Sequence, residues 1–353
     1  MFYLWVKKFT LIFLFFCLVL VGTNFILDPY IHYRIPSLHP PYFGSDQRHL
    51  NPGLAKNFSY DSVIIGTSMT EQIHIFDIEK MLGWKTLKLS ISGATAHEQL
   101  QILSKALEKP SLKNVLWGVD VYSFGGEAES YRNGKENFPH YLYDSNFLND
   151  FHYLLNIETL LDEINIIKKY YLKKDHFYFA IENSFLPREA PKNRNLAKHF
   201  LDNTIGARPR GFFSTSHFQE SLEKNLFLPI KSNPSVHFHI FFPPYSILAW
   251  HTINNQGWLL EALQFRLLVA NGIQNLPNVS LYDPQSDIQL ITQLDHYVDP
   301  THHLPIYNDI ILRMIKDHQN TTLKEIKEGN ERLHNALKTI DPLNLIKEHG
   351  LDF

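Results

Sequence analysis

A serine just after a short apolar run, and an aspartate three residues ahead of a histidine far downstream, are the residues whose types and order point to chemistry. Ser68 closes Gly66-Thr67-Ser68 directly after Ser62-Val63-Ile64-Ile65, and Asp299-Pro300-Thr301-His302 precedes the last helix expected to cover the sheet. A serine hydroxyl becomes a nucleophile when a histidine, itself oriented by a carboxylate, takes its proton. Asp299 and His302 suit those two roles. The backbone N–H groups of Ser68 and of Gly93, in Ser92-Gly93-Ala94, suit the oxyanion that such an attack creates. Tyr245, in Pro243-Pro244-Tyr245, is a candidate for the rim of a substrate site.

Each of these features has a structural reading as well. Ser68-Met69-Thr70-Glu71 fits the S-x-x-E capping box, and Gly93 can be a turn glycine. Asp295, His296, Asp299, His302 and His303 are metal-ligand types at close spacing, as a metal-dependent hydrolase would need. His237 and His239 share one face of a strand and read as core or surface residues rather than ligands. Arg208-Pro209-Arg210 reads as a solvated loop ahead of a contact with an anionic polymer.

The elements that position these residues alternate. Strands are expected at 62–65, 86–91, 114–119, 236–242 and 279–282. Helices are expected at 69–82 (stopped by Gly83), 95–108, 257–271 and 305–318. Such alternation implies βαβ units and a mostly parallel sheet covered on both faces, an α/β fold whose ligands gather at the carboxyl ends of the strands. The stretch 121–234 interrupts that rhythm and is too long for a loop. It reads as an inserted subdomain with helical segments such as Ile157 to Leu172. The tail, 321–353, is charged and helical.

Ahead of the sheet stands an apolar run. Lys7 and Lys8 precede it, and residues 9–27 are close to the roughly 20 that cross a bilayer. No small-x-small cleavage site follows, so it reads as an uncleaved signal anchor. The flanking lysines favour a cytoplasmic 1–8 and an exported body on the far side of the inner membrane. Residues 28–60, rich in Pro, Tyr and His, read as a stalk, and 61–320 as the catalytic domain. The lone cysteine, Cys17, lies within the apolar run, so no intrachain disulfide forms. Net charge is −3, with no basic tract to suggest a nucleic-acid partner.

With these residues in place the chain resembles the SGNH (GDSL-type) hydrolases. Gly66-Thr67-Ser68 stands where that family carries Gly-Asp-Ser, Gly93 matches its second-block glycine, and Asp299-Pro300-Thr301-His302 matches its last-block Asp-x-x-His. The likeness covers about 60–120 and 235–318, not the insertion. It implies a three-layer α/β/α flavodoxin-like fold and ester chemistry through an acyl-serine, with Ser68 as nucleophile, His302 as base and Asp299 as its orienter. Membrane-anchored members of the group act on envelope polymers, as in lipoteichoic acid D-alanylation and alginate O-acetylation. The anchor, Asp28-Pro29-Tyr30 and Phe242-Pro243-Pro244-Tyr245-Ser246 look more like these than like secreted lipases. The resemblance therefore implies an esterase or O-acyltransferase on a cell-envelope glycopolymer, without a cofactor. A transferase would also need a membrane partner protein to deliver the acyl group.

One position departs from the family. Its third block carries an Asn that donates to the oxyanion, and Asp120 stands there instead. A carboxylate donates only when protonated, so backbone donors alone, or an insertion residue such as Asn133 or Asn146, would have to serve. The same departure keeps open a non-catalytic carbohydrate-binding or scaffold subunit of an acylation complex.

Overall fold

The computed structural model describes residues 2–179, 196–202 and 211–351. It divides into two units, one of residues 1–58 and 136–184 and one of residues 59–135 and 185–353. The second unit holds a parallel sheet of five strands: β1 (Ser62–Ile65), β2 (Thr86–Lys88), β3 (Asn114–Gly118), β4 (His237–Phe241) and β5 (Val279–Tyr282). Their order across the sheet is β2-β1-β3-β4-β5. Ile64 pairs with Lys88 on one side and Leu116 on the other. The chain therefore starts inside the sheet, steps to one edge, and returns to build outward from the other side of β1. All four residues of β1 are buried, as expected of a continuous apolar strand in a parallel sheet.

Local chemistry explains most element ends. Thr95 and Glu98 close a reciprocal capping box that opens the helix Ala96–Leu107. The helix expected over 69–82 is two helices, Ser68–Glu71 and Ile75–Leu82, the second ended by Gly83 at φ 73°. At the break Gln72 is fully buried. Its side chain bonds His303 at 3.1 Å and its carbonyl accepts from Asn308 at 2.8 Å. Long-range partners for Gln72 thus replace the intrahelical bonds. β2 ends at Lys88 rather than 91, although the Leu89 and Ile91 amides still reach Ile64 and Gly66 carbonyls at 3.0 Å. A helix not anticipated, Ile247–Asn255, follows β4 and is capped by Ser246.

The charged tail forms the helices Leu323–Thr339 and Pro342–Glu348. The first is pinned by Arg266, which is 1% exposed and donates to Asn330 at 2.7 Å, to Ser286 at 2.8 Å and to Asp283 as an ion pair. Breaking one side of a buried pair strands the other charge. Asp283→Ala is therefore expected to destabilise this unit by about 3–5 kcal/mol. A urea midpoint shift worth less than about 1 kcal/mol would mean that Arg266 is solvated in the variant.

The other unit carries the helices Phe2–Leu27, Gln47–Asn57, Phe151–Leu154 and Ile157–Ile167. The first is long and apolar enough to cross a membrane. Its Asn24 is fully buried and donates to the carbonyls of Tyr153, Leu154 and Asn156 at 3.4, 2.9 and 2.9 Å. Asp28, at φ 51°, accepts from the amides of His32, Tyr33 and Arg34 and from the Tyr153 hydroxyl. Residues 136–184 of the expected insertion thus group with the N-terminal 58 residues, and the rest of that stretch groups with the sheet. Arg208-Pro209-Arg210 lies outside the described residues.

Candidate active site

Ser68, half-buried, is presented at the end of β1 by a turn that needs glycine at two positions. Gly66, at φ +149°, closes β1; a Cβ there would come within 2.6 Å of Thr70, and one on Gly118 within 2.4 Å of the same side chain. The Thr70 hydroxyl donates to the Thr67 carbonyl at 2.9 Å and pairs with Ser90 at 2.7 Å, so Thr70 sits close over the strand ends. The helix Ser68–Glu71 starts directly on this turn. Its cap is Thr67, whose side chain accepts from the Met69 amide. The capping-box reading of Ser68 is thereby corrected: one residue earlier does that work, and the Ser68 hydroxyl points elsewhere.

It points to His302. Ser68 Oγ lies 2.9 Å from His302 Nε2, and His302 Nδ1 lies 2.7 Å from Asp299 Oδ2. The other carboxylate oxygen of Asp299 accepts from the Thr301 amide at 2.8 Å, the Thr301 hydroxyl at 2.9 Å and the His302 amide at 2.9 Å. This loop is held in turn by Ser246, whose amide and hydroxyl both donate to the Pro300 carbonyl, at 3.1 and 2.7 Å. The unanticipated helix after β4 therefore positions the histidine through its own cap. Burial by itself would raise the Asp299 carboxyl, but bonding to His302 and the two amides holds it well below the usual carboxylate range. Burial by itself would lower His302, but Asp299, with Glu71 and Asp120 beyond, carries it above 6.5. The imidazole is thus a stronger base than a free histidine.

Around Ser68 opens a cavity of about 460 Å³, lined by Gly93, Asp120, Tyr122, Tyr131, Arg132, Phe212, Tyr245 and His302 among others. Among the described residues, the Ser68 and Gly93 amides donate to no acceptor. Gly93 is held at φ +60°, and a Cβ on it would lie 3.5 Å from the Arg132 guanidinium carbon. Asp120 lines the cavity, but its carboxylate accepts from Thr67 at 3.0 Å, from the Ser123 amide at 3.1 Å and from the Tyr245 hydroxyl. Burial raises its pKa in spite of those donors. Asp120 therefore braces the turn under Ser68 from below. Tyr245 is 2% exposed and serves Asp120, so the residue expected at the rim is in the wall. Asn133 is exposed and is not among the lining residues, and Asn146 caps the short helix Phe147–Asn149.

Asp295 pairs with His349 at 3.1 Å, and His303 is buried against Gln72. No group of three or more potential metal ligands forms among the described residues. His237 and His239 bond Ser280 and Tyr282, and burial lowers His239 to about 3, so it stays neutral. Arg132 was not foreseen. Its backbone amide donates to Glu98 at 3.2 Å, while its guanidinium has no partner among the described residues. Ser130-Tyr131-Arg132-Asn133-Gly134 carries only the local signal of a turn, and the cavity it borders exists only once β1 and β3 are paired. No protein-family model matches the chain, and neither a curated protein nor a solved structure does.

Proposed function

We propose that this chain is a membrane-anchored serine esterase or O-acyltransferase of SGNH type, acting on a cell-envelope polysaccharide or glycopolymer. The observation that carries this reading is the hydrogen-bonded series Ser68–His302–Asp299, on a turn at the carboxyl end of β1, with two unspent backbone N–H groups beside it. The order β2-β1-β3-β4-β5 is that of flavodoxin-like sheets, which supports the three-layer arrangement the family would have. The apolar helix, with Lys7 and Lys8 near its N-terminal end, supports an inner-membrane anchor and an exported body.

In this mechanism Ser68 Oγ attacks the ester carbonyl while His302 Nε2 takes the hydroxyl proton, and Asp299 stabilises the imidazolium. The carbonyl oxygen gains the electron pair and is met by the Ser68 and Gly93 amides. Collapse breaks the ester bond, the departing alkoxide takes the proton from His302, and the acyl group remains on Ser68. Water then completes hydrolysis, or a polymer hydroxyl completes transfer, with His302 again the base. A transferase would draw its acyl group from a membrane partner protein.

The test is a fluorophosphonate probe followed by peptide mass mapping. An adduct on Ser68, suppressed by excess p-nitrophenyl acetate, is expected; folded protein that stays unlabelled would overturn the reading. The guanidinium of Arg132 over Gly93 supports an anionic substrate, since it stands next to where the acyl carbonyl would lie. Arg132→Ala should raise KM about tenfold for an acetylated uronate, the loss of one charge-assisted hydrogen bond, and leave KM for neutral p-nitrophenyl acetate unchanged. An equal rise for both esters would assign Arg132 to packing instead.

A further inference from the structure

Large apolar side chains exposed one by one are ordinary on protein surfaces, whereas a contiguous set marks an interaction face. Within the unit of residues 1–58 and 136–184, six of them crowd into one short stretch: Phe147, Leu148, Phe151, Leu155, Ile157 and Leu161. Phe147 is 77% exposed, Leu148 69% and Ile157 63%. In the sheet unit, the exposed large apolar residues among those described are spread between Phe76 and Leu343. The stretch is joined directly to the end of the apolar helix Phe2–Leu27, because Asn24 binds the carbonyls of Tyr153, Leu154 and Asn156. Those carbonyls lie where the helix Phe151–Leu154 ends and the helix Ile157–Ile167 begins, so the Asn24 amide holds that junction.

The length of the anchor sets the depth. From Phe9, just past Lys8, to Leu27 is 19 residues. At about 1.5 Å each they span roughly 28 Å, close to the hydrocarbon thickness of a bilayer. Asn24 then lies about 4–5 Å inside the hydrocarbon edge, and the backbone it clamps lies at the same level. Arg34, which donates to the Phe25 carbonyl at 2.9 Å and lies 4.3 Å from that ring, adds a cation at this end of the helix. His152 and Glu158 are exposed among the apolar residues, a mixture suited to the headgroup boundary and not to the bilayer centre.

We propose that the face made by Phe147, Leu148, Phe151, Leu155, Ile157 and Leu161 is a second membrane contact, seated in the headgroup–acyl boundary where the anchor helix ends. It rests on the membrane-anchored reading above. The anchor then does not dangle its unit on a flexible stalk: one helix crosses the bilayer and a clamped apolar face lies in its surface.

The test uses the full chain with Cys17→Ala as background and single nitroxide-labelled cysteines at Phe147 and, separately, Ile157. Phe13→Cys in the anchor is the lipid reference and Lys324→Cys, 85% exposed, the water reference. The protein is reconstituted in phosphatidylcholine–phosphatidylglycerol vesicles, and collision with oxygen is compared with collision with a neutral nickel chelate. Phe147 and Ile157 are expected to favour oxygen severalfold over the Lys324 position. If both match Lys324 while Phe13 favours oxygen, the anchor stands and the proposed contact is overturned. If Phe13 also behaves like Lys324, the anchored reading itself has failed and the contact with it.

Discussion

Ser68→Ala is expected to reduce ester turnover by about 10⁵- to 10⁶-fold, since the members of such a triad act as a unit and the loss of its nucleophile removes nearly all of the effect. The substitution deletes one oxygen atom and little else. Thr67 caps the helix that begins at Ser68, so the turn keeps its local bonds, and the only side-chain partner lost is His302 at 2.9 Å. Stability should therefore change by no more than about 1 kcal/mol, the usual worth of one hydrogen bond. Activity loss with an unchanged unfolding transition separates catalysis from folding. Undiminished envelope acylation in cells carrying Ser68→Ala would instead favour the non-catalytic carbohydrate-binding or scaffold subunit, for which this hydroxyl is idle.

Asp299→Asn is the second large effect, a fall in kcat of about 10⁴-fold. The asparagine oxygen can still accept from the Thr301 and His302 amides, so the loop should keep its shape. Against His302 Nδ1 it presents an N–H where an acceptor is required. The imidazole is then held in the tautomer that places a proton on Nε2, facing Ser68, and it cannot act as base. The pH profile gives an independent reading. In the intact protein His302 is held above 6.5 against the pull of burial, chiefly by Asp299. A base works only when deprotonated, so the acid limb of kcat/KM should lie above pH 6.5 and activity should rise as pH rises through it. Without Asp299 burial prevails, and the limb of the residual activity should move to lower pH. A limb that stays in place on Asp299→Asn would show that another group, not His302, titrates there.

Much of this was legible in the chain because it is written in short range. Continuous apolar runs such as Ser62–Ile65 report burial on both faces, Gly66 and Gly83 report turns, and Thr95 with Glu98 reports a helix start. Periodicity and capping depend on neighbours within about four residues, which a sequence displays directly. The break at Gln72–His74 is not legible for the opposite reason: it is set by His303 and Asn308, more than 200 residues away. Ser68 was similarly ambiguous, since the capping box it forms on paper is replaced by Thr67 once the Gly66 turn fixes which residue stands at the cap.

What the sequence by itself determined was an apolar run after Lys7 and Lys8 long enough to cross a bilayer, the alternating α/β rhythm, and the presence of a serine, an aspartate and a histidine in an order that suits ester chemistry. Only the tertiary structure decided which of the 19 histidines meets Ser68 across 234 residues. It also turned Asp120 and Tyr245 inward to brace the turn, brought Arg132 to the cavity, and clamped Asn24 to the end of a distant helix. Each of these depends on which strands become neighbours in the sheet or which helices pack together. Closing such long loops is costly in entropy, and the many burial and hydrogen-bond terms that offset it are spread over the whole chain.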